Sequence, residues 1–103
     1  AKELAFFADW VSAEEALSIG LVNAIYEDSE LVDAVEAKLS ILASRPPIAI
    51  AQIKQSLHRA SSITMNEALE IEALSQATCT ATEDFGEGMR AFMEKREPEF
   101  KGR

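Results

Sequence analysis

The C-terminal stretch of the sequence holds the residues best suited to bind a ligand. Phe92 and Lys95 stand at positions i and i+3 of an expected helix, and Arg96 follows directly. An aromatic ring beside an ammonium group suits a nucleotide with phosphates, because the ring can stack on the base while the cation pairs with the phosphates. The same spacing fits a core phenylalanine beside a lysine whose aliphatic stem covers apolar surface, so spacing leaves both interpretations open.

His58 and Cys79 have structural interpretations. His58 follows a hydrophobic stripe and has no residue nearby that could orient it, which favours a surface histidine over a catalytic one. Cys79 has no nearby His or base, which favours a small buried thiol over a nucleophile. A single cysteine forms no intrachain disulfide and no thiolate metal cluster. We therefore predict no catalytic residue, no metal site and no cofactor here, and expect a reducing, cytoplasmic setting.

The acidic and glycine-rich segments are also expected to be structural. Glu67, Glu70 and Glu72 could form paired carboxylates, but Glu67 and Glu70 lie one turn apart on a helix whose N-terminus favours negative charge, which favours a solvated acidic face. The Gly86-Glu87-Gly88 segment resembles a phosphate-binding loop only superficially, because no strand precedes it and no Lys-Ser/Thr pair follows. Its glycines indicate close helix packing.

Hydrophobic periodicity predicts an all-α fold of about five helices with short breaks. Capping boxes are expected at Ser12–Glu15 and Thr64–Glu67, and Gly20 suits a helix end. Helical segments are expected at 1–8, 13–19, from Asp28 or Ser29 to before Pro46, from Pro47 through a buried stripe of Ile50, Ile53 and Leu57, at 64–81, and at 84–97. Residues 21–26 should form an extended connector.

Composition narrows the class of protein further. The 103 residues are 48% hydrophobic and 27% charged, and this hydrophobic fraction excludes a disordered polyelectrolyte. The net charge is −8. No apolar run is long enough to cross a bilayer, and we expect neither a secretion signal nor a membrane partner. The acidic balance argues against nucleic-acid binding. Residues 90–103 nevertheless carry five bases and three acids, so a basic tail follows an acidic body.

The whole chain resembles the C-terminal third of the crotonase superfamily, the enoyl-CoA hydratases and isomerases. The resemblance is carried by the segments AKEL, VSAEEALSIGLVN, SRPPIAIAQIKQSL, MNEALEIEA and TEDFGEGMRAFMEKREPEFKGR. It implies that residues 1–103 are the C-terminal helical, trimerisation region, and that the N-terminal spiral core is absent from this chain. The oxyanion hole of two backbone amides and the proton-transferring carboxylates belong to that core, so the isolated chain is expected to be inactive.

The resemblance also gives the tail a role. Phe92 matches the aromatic residue, and Lys95 the lysine, that hydratases present to the adenine and phosphates of CoA bound to a neighbouring subunit. It implies a full-length enzyme that hydrates or isomerises acyl-CoA thioesters and works as a homo-oligomer, a trimer or a dimer of trimers. The alternative is a stand-alone helical interaction module derived from the same fold. The acyl chain and the choice between hydration and isomerisation stay open.

Overall fold

The computed structural model describes all 103 residues, which form six α-helices and no β-strand. The helices are α1 (Lys2–Phe7), α2 (Ala13–Ser18), α3 (Asp28–Ala43), α4 (Pro47–Arg59), α5 (Met65–Thr80) and α6 (Glu83–Glu94). The all-α prediction is confirmed, and each of the six helices corresponds to one of the expected helical segments, although their number was put at about five. No helix combines the length and apolar character needed to span a membrane. The chain divides into two units, Ala1–Ala37 and Lys38–Arg103.

In the first unit, local signals set both ends of α2. The Ser12 hydroxyl accepts a hydrogen bond from the Glu15 amide at 3.1 Å, which is one half of the predicted capping box. At the other end Gly20 adopts a positive φ of 72°. The Gly20 amide donates to the Leu17 carbonyl at 3.1 Å and the Leu21 amide to the Ala16 carbonyl at 2.8 Å, which is a Schellman turn. Residues 21–26 form no strand.

In the second unit, the starts of three helices lie within one residue of their predicted positions. Pro47 is the first residue of α4, where its missing N–H leaves no helical hydrogen bond unmade. Thr64 and Glu67 form a complete capping box, because the Glu67 carboxylate accepts from the Thr64 amide at 2.8 Å and the Thr64 hydroxyl from the Glu67 amide at 3.3 Å. The Thr82 hydroxyl accepts from the Phe85 amide at 3.1 Å and caps α6.

Helix α5 packs against both α4 and α6. The Ser75 hydroxyl donates to the Gln52 side-chain oxygen at 3.1 Å across the α4–α5 contact. A groove of about 420 Å³ runs between α4 and α5, with Ile53, Leu57 and Ile71 among its lining residues. These contacts hold α6 and the chain that follows it on one small scaffold.

Very little of the chain is buried by the chain itself. Only Ala16, Asp84 and Ala91 are buried, whereas 24 large hydrophobic side chains are exposed. The predicted buried stripe on α4 is therefore wrong for this chain, because Ile53 and Leu57 are exposed. The accessible surface is 8788 Å², against about 5,700 Å² for a self-contained monomer of this mass. The helices present apolar faces that nothing within the 103 residues covers.

Candidate functional site: the end of α6 and its tail

The two residues singled out in the sequence lie at the C-terminal end of α6. Phe92 is in the last turn of α6, and its side chain is 83% exposed. Lys95 is also exposed, but it lies outside the helix, because α6 ends at Glu94 instead of continuing to residue 97. The predicted helix over 84–97 is therefore too long by one turn. The two side chains are close along the chain without sharing a regular helical face.

The helix ends early because Lys95 turns the backbone into the left-handed region. Its φ is 56° and its ψ is 40°, a conformation that glycine adopts easily and other residues adopt at a cost. The Arg96 amide donates to the Ala91 carbonyl at 3.1 Å and the Lys95 amide to the Phe92 carbonyl at 3.3 Å. This is a Schellman turn with lysine at the position that usually holds glycine.

The guanidinium of Arg96 ties the turn to the body of α6. It donates to both carboxylate oxygens of Glu87, from Nη1 at 2.6 Å and from Nη2 at 3.1 Å. Its Nε donates to the Glu94 carboxylate at 2.7 Å, and Nη1 also donates to the Glu97 carbonyl at 3.0 Å. A forked guanidinium–carboxylate pair is stronger and more directional than a single contact. Both carboxylates, Glu87 foremost, raise the pKa of Arg96 further above its usual range.

Glu87 is the hub of this cluster. Its side chain is only 15% exposed, and it also accepts from the Glu99 amide at 3.0 Å and from the Arg90 guanidinium at 3.3 Å. The hydrogen bonds from Arg96, followed by that from the Glu99 amide, lower the pKa of Glu87 to about 2. Glu87 therefore stays ionised at neutral pH and holds the tail at two points, residues 96 and 99.

A second carboxylate, Asp84, anchors the end of the tail. It is 4% exposed, and its two oxygens accept from the Lys101 amide at 2.6 Å and the Gly102 amide at 2.8 Å. Gly102 has a φ of 74°, and a Cβ on it would lie 2.9 Å from the Pro47 ring. The tail therefore folds back along α6 to the start of α4, and only glycine fits at residue 102 without strain or displacement.

The close helix packing predicted for Gly86 and Gly88 is not found: the tail approaches Gly88, and a Cβ on Gly86 would meet only the Arg90 side chain of α6 itself, at 3.5 Å. A Cβ on Gly88 would meet the Phe100 ring at 3.6 Å, so the tail ring lies directly over this glycine. Phe100 also lines a groove of about 300 Å³ together with Ile48, Cys79 and Met89. The tail is thus held by apolar contact as well as by the two carboxylates.

The five basic residues between positions 90 and 103 differ in whether they form ion pairs. Arg90, Arg96 and Arg103 form ion pairs with acids of α6, whereas Lys95 and Lys101 form none. The basic patch expected from composition is therefore mostly neutralised within the chain. Of these two lysines, Lys95 is the one that follows the exposed Phe92 by three positions.

The other residues considered from sequence stand apart from this cluster. His58 is exposed, as expected, and Cys79 is half-buried. Glu67 serves its own capping box, which lowers the pKa of its carboxyl through the Thr64 amide and hydroxyl. No group of three or more His, Cys, Asp or Glu side chains is arranged to hold a metal ion.

Sequence reasoning missed the roles of Asp84 and Glu87. Asp84 lies in the first turn of α6, where acidic residues are common for reasons of helix polarity, and Glu87 lies one turn further on, so nothing local marked them as anchors. For Glu87 the available signal was the excess of bases between residues 90 and 103, which needs partners, because Glu87 lies one helical turn before Arg90. Asp84 accepts from two backbone amides, which no charge pattern in the sequence marks.

Comparison with known proteins defines the family. The enoyl-CoA hydratase/isomerase family model matches residues 1–103. The short-chain-enoyl-CoA hydratase of Clostridium acetobutylicum is 39% identical over 104 residues, covering 100% of this chain and 40% of its own length. The methylmalonyl-CoA decarboxylase of Escherichia coli is 36% identical, covering 98% of this chain and 40% of its own length. This chain belongs to the enoyl-CoA hydratase/isomerase family.

Solved structures give the same result for the fold. Enoyl-CoA hydratase subunit I of Geobacillus kaustophilus superposes with a TM-score of 0.90 at 32% identity, over 99% of this chain and 40% of the other. The chain thus spans about 40% of the length of the relatives it matches. The crotonase resemblance seen in the sequence is confirmed.

Proposed function

We propose that this chain is the C-terminal helical part of an enzyme that hydrates or isomerises acyl-CoA thioesters, and that it supplies oligomer contacts and part of the CoA site. Phe92 stacks on the adenine, and Lys95 pairs with the phosphates, of CoA bound to a neighbouring subunit. The observation that carries this proposal is the 83% exposure of Phe92, three positions before a lysine that forms no ion pair, in a chain of the enoyl-CoA hydratase/isomerase family. The Phe92 ring is thus not packed by the other residues of the 103-residue segment.

The uncovered helix faces support the proposed place of this segment in a larger protein. The chain exposes roughly 3,000 Å² more surface than a self-contained monomer of its mass. We assign these faces to a spiral core domain outside these 103 residues and to neighbouring subunits. The oxyanion hole and the proton-transferring carboxylates lie in that core, so the isolated chain does not turn over substrate. We also propose a reducing, cytoplasmic setting, with which the free Cys79 thiol of this segment is compatible.

The test measures steady-state kinetics of the full-length protein with crotonyl-CoA and with crotonyl-pantetheine, which lacks the adenine nucleotide. Phe92→Ala and Lys95→Ala should each raise KM for crotonyl-CoA about fivefold or more, because each removes a contact of about 1 kcal/mol. The effect on kcat should be smaller, since groups remote from the reacting carbons bind ground state and transition state alike. KM for crotonyl-pantetheine should not change.

Lys101→Ala is the matched control. It removes the other unpaired ammonium group of the tail and keeps the backbone amide that Asp84 holds. Its KM for crotonyl-CoA should stay near the wild-type value. Unchanged KM in both Phe92→Ala and Lys95→Ala, with loss of stability or of the oligomer instead, would contradict the CoA role and make these residues structural.

The alternative is a stand-alone interaction module, which the same exposed apolar surface would also support. A different measurement distinguishes it from the proposed enzyme. The proposed enzyme requires about 150 further residues encoded in frame immediately upstream. An intact mass of the native protein near 11.3 kDa, together with an upstream sequence that does not encode them, would favour the module.

A further inference from the structure

We propose that Glu87 and Arg96 are positioning residues for Lys95, and that they fix the backbone turn from which the lysine side chain reaches the phosphates of CoA. This inference rests on the proposed function and adds two residues that do not themselves touch the ligand. It arises from the coincidence of an unfavourable backbone conformation at Lys95 with a dense ionic cluster at the next residue.

The conformation of Lys95 needs support from outside the turn. A lysine in the left-handed region brings its Cβ close to the following carbonyl oxygen, which destabilises it relative to a helical conformation. The sequence Glu94-Lys95-Arg96 consists of good helix formers, and the residue that restricts the helix, Pro98, lies three positions beyond Lys95. If local preference alone decided, the helix would continue through Lys95, and the Lys95 side chain would point in a different direction.

The Glu87–Arg96 pair supplies that support. The forked contact, at 2.6 and 3.1 Å, joins residues nine positions apart and holds Arg96 against the side of α6. A chain that continued as a helix through residue 96 would carry the guanidinium away from this carboxylate. Glu87 also accepts from the Glu99 amide at 3.0 Å, so a single carboxylate fixes both ends of the segment that follows Lys95.

Restricting the backbone matters because lysine has a long, flexible side chain. An ammonium group on a four-carbon stem loses rotamer freedom when it binds a phosphate, and a fixed starting direction reduces the freedom that must be lost. Loosening the turn should therefore weaken phosphate binding without removing any charge from the ligand site. That outcome differs from the one expected of a purely structural ion pair.

The experiment is a double-mutant cycle in the full-length protein, with KM for crotonyl-CoA as the readout. Glu87→Gln alone should raise KM about threefold with kcat little changed, whereas in a Lys95→Ala background it should change KM less than about 1.5-fold. KM for crotonyl-pantetheine should not respond in either background. Arg96→Lys, which keeps the charge but loses the forked geometry, should behave like Glu87→Gln and serves if that variant folds poorly.

Glu83→Gln is the matched control for charge and helix. Glu83 lies on the same helix and pairs with Arg103 at 3.0 Å, at the far end of the tail from Lys95. It should leave KM unchanged in both backgrounds.

The outcomes separate this inference from the proposed function. If Lys95→Ala leaves KM unchanged, the proposed CoA role fails. If Lys95→Ala raises KM but Glu87→Gln and Arg96→Lys lower only the thermal midpoint, the pair is structural and this inference is overturned. Equal increases in KM from Glu87→Gln with and without Lys95 would also overturn it, because the carboxylate would then act independently of the lysine.

Discussion

Two helix ends in this chain have the same hydrogen-bond pattern but different residues at the critical position. After α2, Gly20 and Leu21 donate to carbonyls three and five residues back, and after α6, Lys95 and Arg96 do the same. In both turns the more distant acceptor is a buried alanine, Ala16 or Ala91. Gly20 has a φ of 72° and Lys95 a φ of 56°. The two turns share one backbone geometry, so they differ in the side chain at the left-handed position, which is absent at Gly20 and long and charged at Lys95.

The contacts around the two turns differ as well. A Cβ on Gly20 would meet nothing within 4 Å, so this glycine is needed for conformation and not for space. At the second turn the left-handed lysine is accompanied by the Arg96–Glu87 contact, and nothing comparable follows Gly20. Strained residues persist where surrounding structure determines them, and such positions concentrate at functional sites.

A third left-handed residue limits how far conformation alone can be interpreted. Ala8, at the end of α1, has a φ of 53°, yet a methyl side chain binds no phosphate and no ion pair adjoins it. A left-handed non-glycine residue is therefore not by itself a mark of function. The combination of strain, an unpaired charge and an ionic cluster distinguishes Lys95.

The largest effect is expected from removing the carboxylate that anchors the tail beyond the second turn, since no such tail follows the first turn. Asp84→Ala in the full-length protein should lower the free energy of unfolding by about 2–4 kcal/mol, because it leaves the amides of Lys101 and Gly102 without their charged acceptor. Urea unfolding measures the change. Asp84→Asn, which keeps one acceptor oxygen, should lose less. A loss below about 0.5 kcal/mol for Asp84→Ala would mean that the tail is held without this carboxylate.

The next effect tests whether the first turn requires glycine for conformation alone. Gly20→Lys should destabilise the protein by about 1–2 kcal/mol through backbone strain, with KM for crotonyl-CoA unchanged. Gly20→Ala should lose nearly as much, because the space around residue 20 is open. Thermal or urea unfolding of both variants provides the measurement. A neutral Gly20→Lys would show that this turn tolerates lysine without an ionic cluster, and the contrast between the turns would disappear.

The reverse exchange should separate stability from function. Lys95→Gly should stabilise the protein by about 0.5–1 kcal/mol, since glycine adopts the left-handed conformation without strain. It should nevertheless raise KM for crotonyl-CoA, as Lys95→Ala does. Ala8→Gly is the matched control, with a similar gain in stability and an unchanged KM. If Lys95→Gly gains stability and keeps its KM, the lysine is not retained for binding CoA.

Features set by neighbouring residues could be predicted from the sequence. The starts of α4 and α5 follow from Pro47 and from the Thr64–Glu67 box, and the end of α2 follows from Gly20. Each depends on residues within one helical turn, which the sequence displays directly.

Features set by contacts with residues distant in the sequence could not be predicted from it. Nothing local identifies Lys95 as left-handed, because its neighbour is held by Glu87, nine residues away, and the tail is held by Asp84, 17 and 18 residues away. The exposure of Ile53 and Leu57 was missed for a related reason. Periodicity identifies an apolar face but not the element that covers it. For Phe92 the spacing left two interpretations open, and its CoA role stays a prediction.

The smallest effect concerns pH and again separates the two turns. Arg96, followed by the Glu99 amide, lowers the pKa of Glu87 from 4.5 to about 2 in the folded chain. A carboxyl whose pKa is lowered by folding stabilises the fold when ionised in both states. Its contribution is therefore fully present above pH 4.5 and is lost as the pH falls toward 2. The stability difference between wild type and Glu87→Gln should be constant above pH 5 and shrink below about 4.5.

No titrating side chain bonds to the first turn, so the stability difference between wild type and Gly20→Ala should be the same at every pH. Urea unfolding of the three proteins between pH 3 and 7 measures both curves. A Glu87→Gln offset that does not change with pH would mean that the carboxylate charge does not hold the turn at Lys95.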